Sequence, residues 1–161
     1  MKDTAELFAS VDALKARLDA HRPLPADIVS QIRQDMRIRF TYHSNAIEGN
    51  TLTMSETKAV LEDGITIGGK SLREHLEAVG HSQAIDYLEV LAQGDAALTE
   101  RTLKDFHSLI LRNIDGANAG TYRRVNVLIS GAGHIPPQAE SVPEKMEAFF
   151  RWYGAARGAL H

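Results

Sequence analysis

Ser44 and Glu48 are the pair of side chains whose types and spacing most suggest a chemical role. They lie in the stretch S-N-A-I-E-G-N, where a helical pattern of apolar residues ends. Four residues apart, they project from the same side of a helix and can face a groove beside the core. A glutamate at this end opposes the helix dipole, at a cost of roughly a few tenths of a kcal/mol. Spacing alone also allows Ser44 to bond a helix carbonyl and Glu48 to be solvated.

The histidines offer weaker candidates for a metal or catalytic site. Glu77 and His81 are spaced to share one helix face, but two ligands are too few for a metal ion. A surface ion pair or a helix-face contact explains them better, and His107 is interpreted as a helix-face or core residue. The sequence contains no G-x-S-x-G, P-loop or dinucleotide-binding pattern. Pattern alone therefore identifies no complete active site and no metal site.

The composition is that of an ordinary globular protein. Hydrophobic residues make up 43% of the 161 residues and charged residues 24%, with a formal charge of −3. This charge favours neither nucleic acid nor an anionic membrane as a partner. The N-terminus does not resemble a signal peptide, and no apolar run approaches the roughly 20 residues of a membrane span. With no cysteine in the chain, a cytoplasmic location is expected.

Apolar periodicity and capping patterns predict six helices. Capping boxes are predicted before the third, fourth and sixth helices, and Gly49 is predicted to cap the end of the second. The predicted helices cover 4–20, about 25–48, 54–62, 72–93, about 100–111 and about 142–153.

One segment breaks the helical pattern and predicts a β-hairpin. Val125, Val127 and Ile129 alternate along it, a glycine-rich S-G-A-G-H follows, and two prolines end it. The glycines can simply supply the positive φ of a tight turn. Alternatively, a flexible tip exposes backbone groups to a ligand or to an extended peptide.

Three stretches, in this order, resemble Fic-domain proteins. S-N-A-I-E-G resembles their (S/T)-x-x-x-E-(G/N) inhibitory motif, and E-H-L-E-A-V-G-H-S-Q-A-I-D-Y-L resembles their first core helix. G-T-Y-R-R-V-N-V-L-I-S-G-A-G-H-I-P-P resembles their β-hairpin flap. The resemblance implies a mainly α, incomplete Fic-like helical domain with one β-hairpin flap. Residues 1–50 would form N-terminal helices that include the inhibitory helix. Residues 51–161 would form the N-terminal part of the Fic core, with the flap at about 120–137.

The resemblance also implies a function for a longer protein. Most Fic proteins transfer AMP from ATP to a hydroxyl of a target protein. The implied residues fall into three groups: inhibitory Ser44, Glu48 and Gly49; target-docking Val127, Leu128, Ile129 and Ser130; and nucleotide-proximal Gly131, Ala132, Gly133 and His134. The flap would pair with an extended segment of a protein substrate. ATP and Mg²⁺ are implied for the longer protein.

The sequence departs from the family in one large respect and one small one. The catalytic signature H-x-F-x-(D/E)-G-N-G-R-x-x-R does not occur in these residues. This chain alone is therefore expected to be inactive, with no catalytic residue and no tight binding of ATP or Mg²⁺. Gly80 stands where relatives often have asparagine, which puts any contact made by that asparagine in doubt.

Two other functions stay open on the sequence. The chain can be a stand-alone, antitoxin-like module that inhibits a Fic partner, or a pseudoenzyme that binds peptides. An incomplete Fic fold should also expose an apolar face, so self-association or domain exchange is expected.

Overall fold

Six α-helices and one short 3₁₀ helix form the secondary structure of the computed structural model, which describes residues 3–94 and 97–158. The helices are α1 (Thr4–Asp19), α2 (Ala26–Ile47), α3 (Met54–Glu62), α4 (Leu72–Ala92), α5 (Glu100–Leu111) and α6 (Val142–Ala156). The 3₁₀ helix, Ala139–Ser141, directly precedes α6. The helical prediction is thus confirmed.

The chain divides into two units, residues 1–37 and 38–161, and the division falls inside α2. In the first unit, ion pairs join Asp19 to Lys15 and to Arg22 at 2.6 and 2.9 Å. None of its described residues is buried.

The core of the second unit lies where α3 and α4 meet. Leu52, Val60 and Ala78 are buried together, with Ile67 and Val79 packed against them. Leu52 belongs to the segment that joins α2 to α3, so burial of apolar surface holds this connection against α4.

Local capping explains where α3, α4 and α5 begin. Thr53 and Ser71 form complete capping boxes with Glu56 and Glu74, as predicted. Thr99 caps α5 by accepting a hydrogen bond from the Thr102 N–H at 3.1 Å.

The capping box predicted before α6 does not form. Ser141 is the last residue of the 3₁₀ helix, and its backbone is helical rather than extended. Its hydroxyl donates to the Gln138 carbonyl at 2.9 Å. An N-cap residue normally has an extended backbone, so the helical conformation of Ser141 is unsuited to capping α6.

Residues 121–138 contain a turn but no strand, and strands are absent from all the residues described. The Ala132 N–H bonds the Ile129 carbonyl at 3.2 Å, and Gly131 has φ +75°. The predicted glycine turn is present. The hairpin pairing around it stays a prediction.

Candidate functional site

Glu48 is the C-cap residue of a fully formed Schellman motif. The Asn50 N–H donates to the Asn45 carbonyl at 3.0 Å, and the Gly49 N–H donates to the Ala46 carbonyl at 3.1 Å. Gly49 has φ +93°, which favours glycine. These two bonds and the left-handed glycine end α2 just before the chain turns towards α3. The predicted cap at Gly49 is therefore present.

The Glu48 side chain is exposed at this helix end. Its carboxylate makes no hydrogen bond or ion pair with any residue in 3–94 or 97–158. Ser44 is half-buried one turn earlier, and its hydroxyl likewise has no partner within those ranges. The carbonyl bond considered for Ser44 is therefore not observed. Both side chains remain available to groups outside the described residues.

Asn50 anchors the exit of α2 to α4. Its side-chain amide donates to the Glu74 carbonyl and to Glu77 Oε2, both at 3.0 Å. Its Oδ1 accepts from the Leu52 N–H at 3.0 Å. Both amide hydrogens and the amide oxygen are used, so an asparagine suits this position and an aspartate would lose both donors.

Thr51 adds a second attachment, to the carboxylate of Glu74. The Thr51 N–H and hydroxyl reach Glu74 Oε1 at 2.8 and 2.5 Å, while the Ser71 N–H and hydroxyl reach Oε2 at 2.8 and 2.9 Å. Four donors therefore converge on one carboxylate. The hydrogen bonds from Thr51 and Ser71 lower the pKa of Glu74 from 4.5 to about 2. Lys70 also donates to the Thr51 carbonyl.

His81 contacts α2 at Thr41, six residues before the helix ends at Ile47. His81 Nδ1 lies 3.1 Å from the hydroxyl of Thr41, which is completely buried. The His81 ring lies 5.8 Å from the Phe40 ring, centre to centre. Burial lowers the pKa of His81. The i,i+4 residues Glu77 and His81 thus form no ion pair with each other. His81 contacts Thr41 of α2, and Glu77 contacts Asn50 directly after the helix.

The predicted flap residues lie on an exposed loop. Val127, Leu128 and Ile129 lead into the turn, Ser130 and Gly131 are its central residues, and Ala132, Gly133 and His134 follow. All eight are exposed, Leu128 to 84%. An exposed apolar run at a loop tip is unusual for a surface loop and suits contact with another chain.

Arg123 and Asn126 close the base of this loop. The Arg123 guanidinium donates to the Val125 carbonyl at 2.9 Å and also to the Pro137 carbonyl. The Ala139 N–H donates to Asn126 Oδ1 at 2.8 Å. Side-chain bonds to the backbone therefore join the two ends of the loop where strand pairing is absent.

The segment leading into the loop is docked on α5. The Gly120 N–H donates to His107 Nδ1 at 3.0 Å, and the Lys104 ammonium lies 4.3 Å above the Tyr122 ring. Gly120 has φ +71°, and a side chain there would lie 3.2 Å from the Lys104 carbonyl. Burial and then the nearby Glu100 carboxylate raise the pKa of Tyr122.

Comparison with known proteins identifies the family. The chain is 33% identical to a protein adenylyltransferase Fic of Nematostella vectensis over 145 residues, covering 88% of this chain and 34% of that protein. It is 30% identical to the protein of the same name in Drosophila melanogaster, covering 98% and 33%. A Fic domain containing signaling protein from Bacteroides thetaiotaomicron superposes with a TM-score of 0.84 at 26% identity, covering 94% of this chain and 59% of that one. The chain belongs to the Fic-domain family. Fic-1 from Caenorhabditis elegans superposes with a TM-score of 0.70 at 27% identity, covering 92% and 45%.

The chain spans about a third of the length of these curated Fic relatives. No family model matches it. The described residues contain no group of three or more histidine and carboxylate side chains able to hold a metal ion. The flap loop offers mainly backbone groups to a nucleotide.

Gly80 lies where α4 passes close to the backbone of α5. A Cβ at this position would lie 2.8 Å from the Ile110 carbonyl oxygen and 3.0 Å from that of Leu109. Even an alanine would collide with the α5 backbone. An asparagine at this position would require a wider helix crossing than this Fic chain has.

Several residues of this site were not identified from the sequence as functional candidates: Asn50, Thr51, Glu74, Thr41, Arg123 and Asn126. A partial signal existed for two of them. The capping box fixed the backbone beside Glu74, and Asn50 directly follows a C-terminal glycine cap. Their contacts across 23 to 27 residues depend on the packing of α3 and α4.

Proposed function

We propose that this chain is the regulatory and target-docking part of an autoinhibited protein adenylyltransferase. The curated relatives named above are protein adenylyltransferases. The stretches that resemble the inhibitory motif, the first core helix and the flap of Fic proteins follow one another here in that order. The whole enzyme would transfer AMP from ATP to a protein hydroxyl, with ATP and Mg²⁺ held by residues outside this chain. A cytoplasmic location belongs to the same proposal and rests on the absence of cysteine. None of the helices in the described ranges is long and apolar enough to cross a membrane.

The observation that carries this proposal is the exposed Glu48 carboxylate, without a partner, at an anchored helix end. The negative end of the helix dipole disfavours a carboxylate there unless a cation compensates. An arginine of the Fic catalytic signature would be that cation. Once paired with Glu48, its guanidinium cannot also bind the phosphates of ATP, since both ligands need the same donors. Ser44 would support the contact by hydrogen bonding.

Glu48→Gly in a protein that joins this chain to a Fic catalytic signature tests the proposal. We expect AMP incorporation to rise about tenfold or more, because a charge-assisted contact to the arginine is lost. Transfer of radiolabelled AMP from ATP is the measurement. Glu147→Gln is the matched control, since Glu147 is an exposed carboxylate that pairs with Arg151 on the same helix, α6. Unchanged AMP incorporation in the Glu48 variant would refute inhibition.

The flap loop, the exposed loop that carries residues 127–134, would provide target docking in the same enzyme. Residues 127–130 are exposed and the first three are apolar. Their backbone forms no strand pairs and can add to an extended target segment as a strand. Strand pairing would then form with the target. Residues 131–134 would lie beside the nucleotide. A target peptide that orders residues 127–130 would support this arrangement.

A binding module that acts in trans is the second candidate. The same unpaired Glu48 favours it, because the arginine can belong to another chain. Co-purification with a chain that carries the catalytic signature distinguishes it, since the regulatory-part proposal requires both segments in one polypeptide.

A further inference from the structure

We propose that Asn50 and Glu74 are positioning residues that hold Glu48 in place for inhibition. This inference rests on the proposed function and adds how the carboxylate is held. The Glu48 side chain makes no hydrogen bond or ion pair within the described ranges. Its location must therefore be set by the backbone on either side, and both sides are fixed.

On the N-terminal side, α2 is attached to α4 by the buried Thr41 hydroxyl and His81. The Schellman bonds then carry this helix to Gly49 without a break. A helix rises only 1.5 Å per residue and is stiff over two turns, so this attachment restricts where Glu48 can lie.

On the C-terminal side, every residue from Asn50 to Thr53 is held. Asn50 and Thr51 bond to α4, Leu52 is buried to 4% exposure, and Thr53 caps α3. The segment has no free residue that could act as a hinge. The exit of α2 therefore moves only if these contacts break.

The carboxylate of Glu74, in the first turn of α4, both caps its own helix and binds the segment from Asn50 to Thr53. Its Oε2 completes the capping box with Ser71, and its Oε1 accepts two hydrogen bonds from Thr51. A glutamine can still complete a capping box but cannot accept from both sides with both terminal atoms. Glu74→Gln therefore separates the two tasks.

Hydrogen–deuterium exchange on this chain tests the attachment directly. In Glu74→Gln we expect amides of residues 48–53 to exchange about tenfold faster, because the Thr51 bonds to a charged acceptor are weakened. Amides of α5 should be unchanged, which excludes general unfolding. Thr51→Val removes one donor and should accelerate the same amides less, whereas Glu147→Gln should leave them unchanged. If residues 48–53 exchange at the wild-type rate in both Glu74→Gln and Thr51→Val, the inference is refuted.

AMP transfer in a protein that also carries the catalytic signature tests the positioning role. Glu74→Gln should raise AMP incorporation about threefold or more while Glu48 is present, since a mobile carboxylate competes less well for arginine. In a Glu48→Gly background the same substitution should add nothing. An equal increase in both backgrounds, or a decrease, would overturn the positioning role.

The two proposals fail in different ways. If Glu48→Gly raises AMP transfer and Glu74→Gln does not, the positioning role is wrong and autoinhibition stands. If Glu48→Gly has no effect on AMP transfer, autoinhibition is wrong, and so is the role of Asn50 and Glu74 in positioning Glu48 for it. This holds even if hydrogen–deuterium exchange shows that residues 48–53 are attached to α4.

Discussion

A single carboxylate, Glu74, joins two parts of the fold that the sequence separates by 23 residues. Its four hydrogen bonds from Thr51 and Ser71 stabilise the ionised form and lower the pKa from 4.5 to about 2. The structure therefore depends on the charge of this side chain and not only on its shape.

The pH dependence of stability follows from the direction of this shift. A carboxyl whose pKa is lower in the folded than in the unfolded state stabilises the fold fully above the unfolded value, here about 4.5. That contribution is lost as the pH falls from about 4.5 towards about 2. Thermal unfolding followed by circular dichroism should show wild type and Glu74→Gln diverging at pH 6 and converging near pH 2.5. A gap that stays constant over this range would contradict the role of the charge.

At the scale of elements, the close crossing of α4 and α5 depends on the absence of a side chain at Gly80. The α5 backbone occupies the space where a Cβ would lie. Tyr87 and Phe106 pack across the same pair of helices, with ring centres 5.1 Å apart. Close packing leaves little room for adjustment here.

Gly80→Ala should therefore destabilise the protein by about 1–2 kcal/mol. Overpacking costs roughly 1–3 kcal/mol, and the higher helix propensity of alanine offsets up to about 1 kcal/mol. Gly154→Ala in α6 is the matched control, because nothing lies within 4 Å of the added Cβ. It should stabilise by about 0.5–1 kcal/mol. Urea unfolding midpoints measure both, and equal shifts for the two variants would refute the close crossing.

Local signals explain which of these elements the sequence predicts. The caps at Thr53, Ser71 and Gly49 involve residues within five positions of each other, so pattern identifies them. The bonds from Asn50 to Glu77 and the approach of Gly80 to α5 require the tertiary packing. The cap at Ser141 was predicted wrongly because the preceding 3₁₀ turn gives this residue a helical backbone, whereas an N-cap residue is normally extended. The inhibitory role of Glu48 and the strand pairing of the flap stay predictions.

For the whole molecule, exposed apolar side chains outnumber buried ones among the described residues. Six hydrophobic residues are buried, whereas 21 large ones are exposed, including Leu128 and Trp152. Exposed apolar surface of this extent favours association with another chain. This supports the proposal that the chain self-associates or exchanges elements.

Sedimentation velocity should show association that increases with protein concentration. Because apolar contacts drive it, sodium sulfate should strengthen it, whereas association through ion pairs would weaken as salt screens the charges. A single monomeric species across the concentration range would contradict the proposal.

The closure of the flap loop by Arg123 and Asn126 has a consequence for how its tip can vary. The bonds reach only the backbone of Val125, Pro137 and Ala139. No side chain of residues 127–136 hydrogen-bonds within the described part of the chain. The closure of the loop therefore does not depend on the side chains of its tip. Substitutions in the tip would leave these bonds unchanged, so the target specificity proposed for the loop could diverge while the loop stays closed.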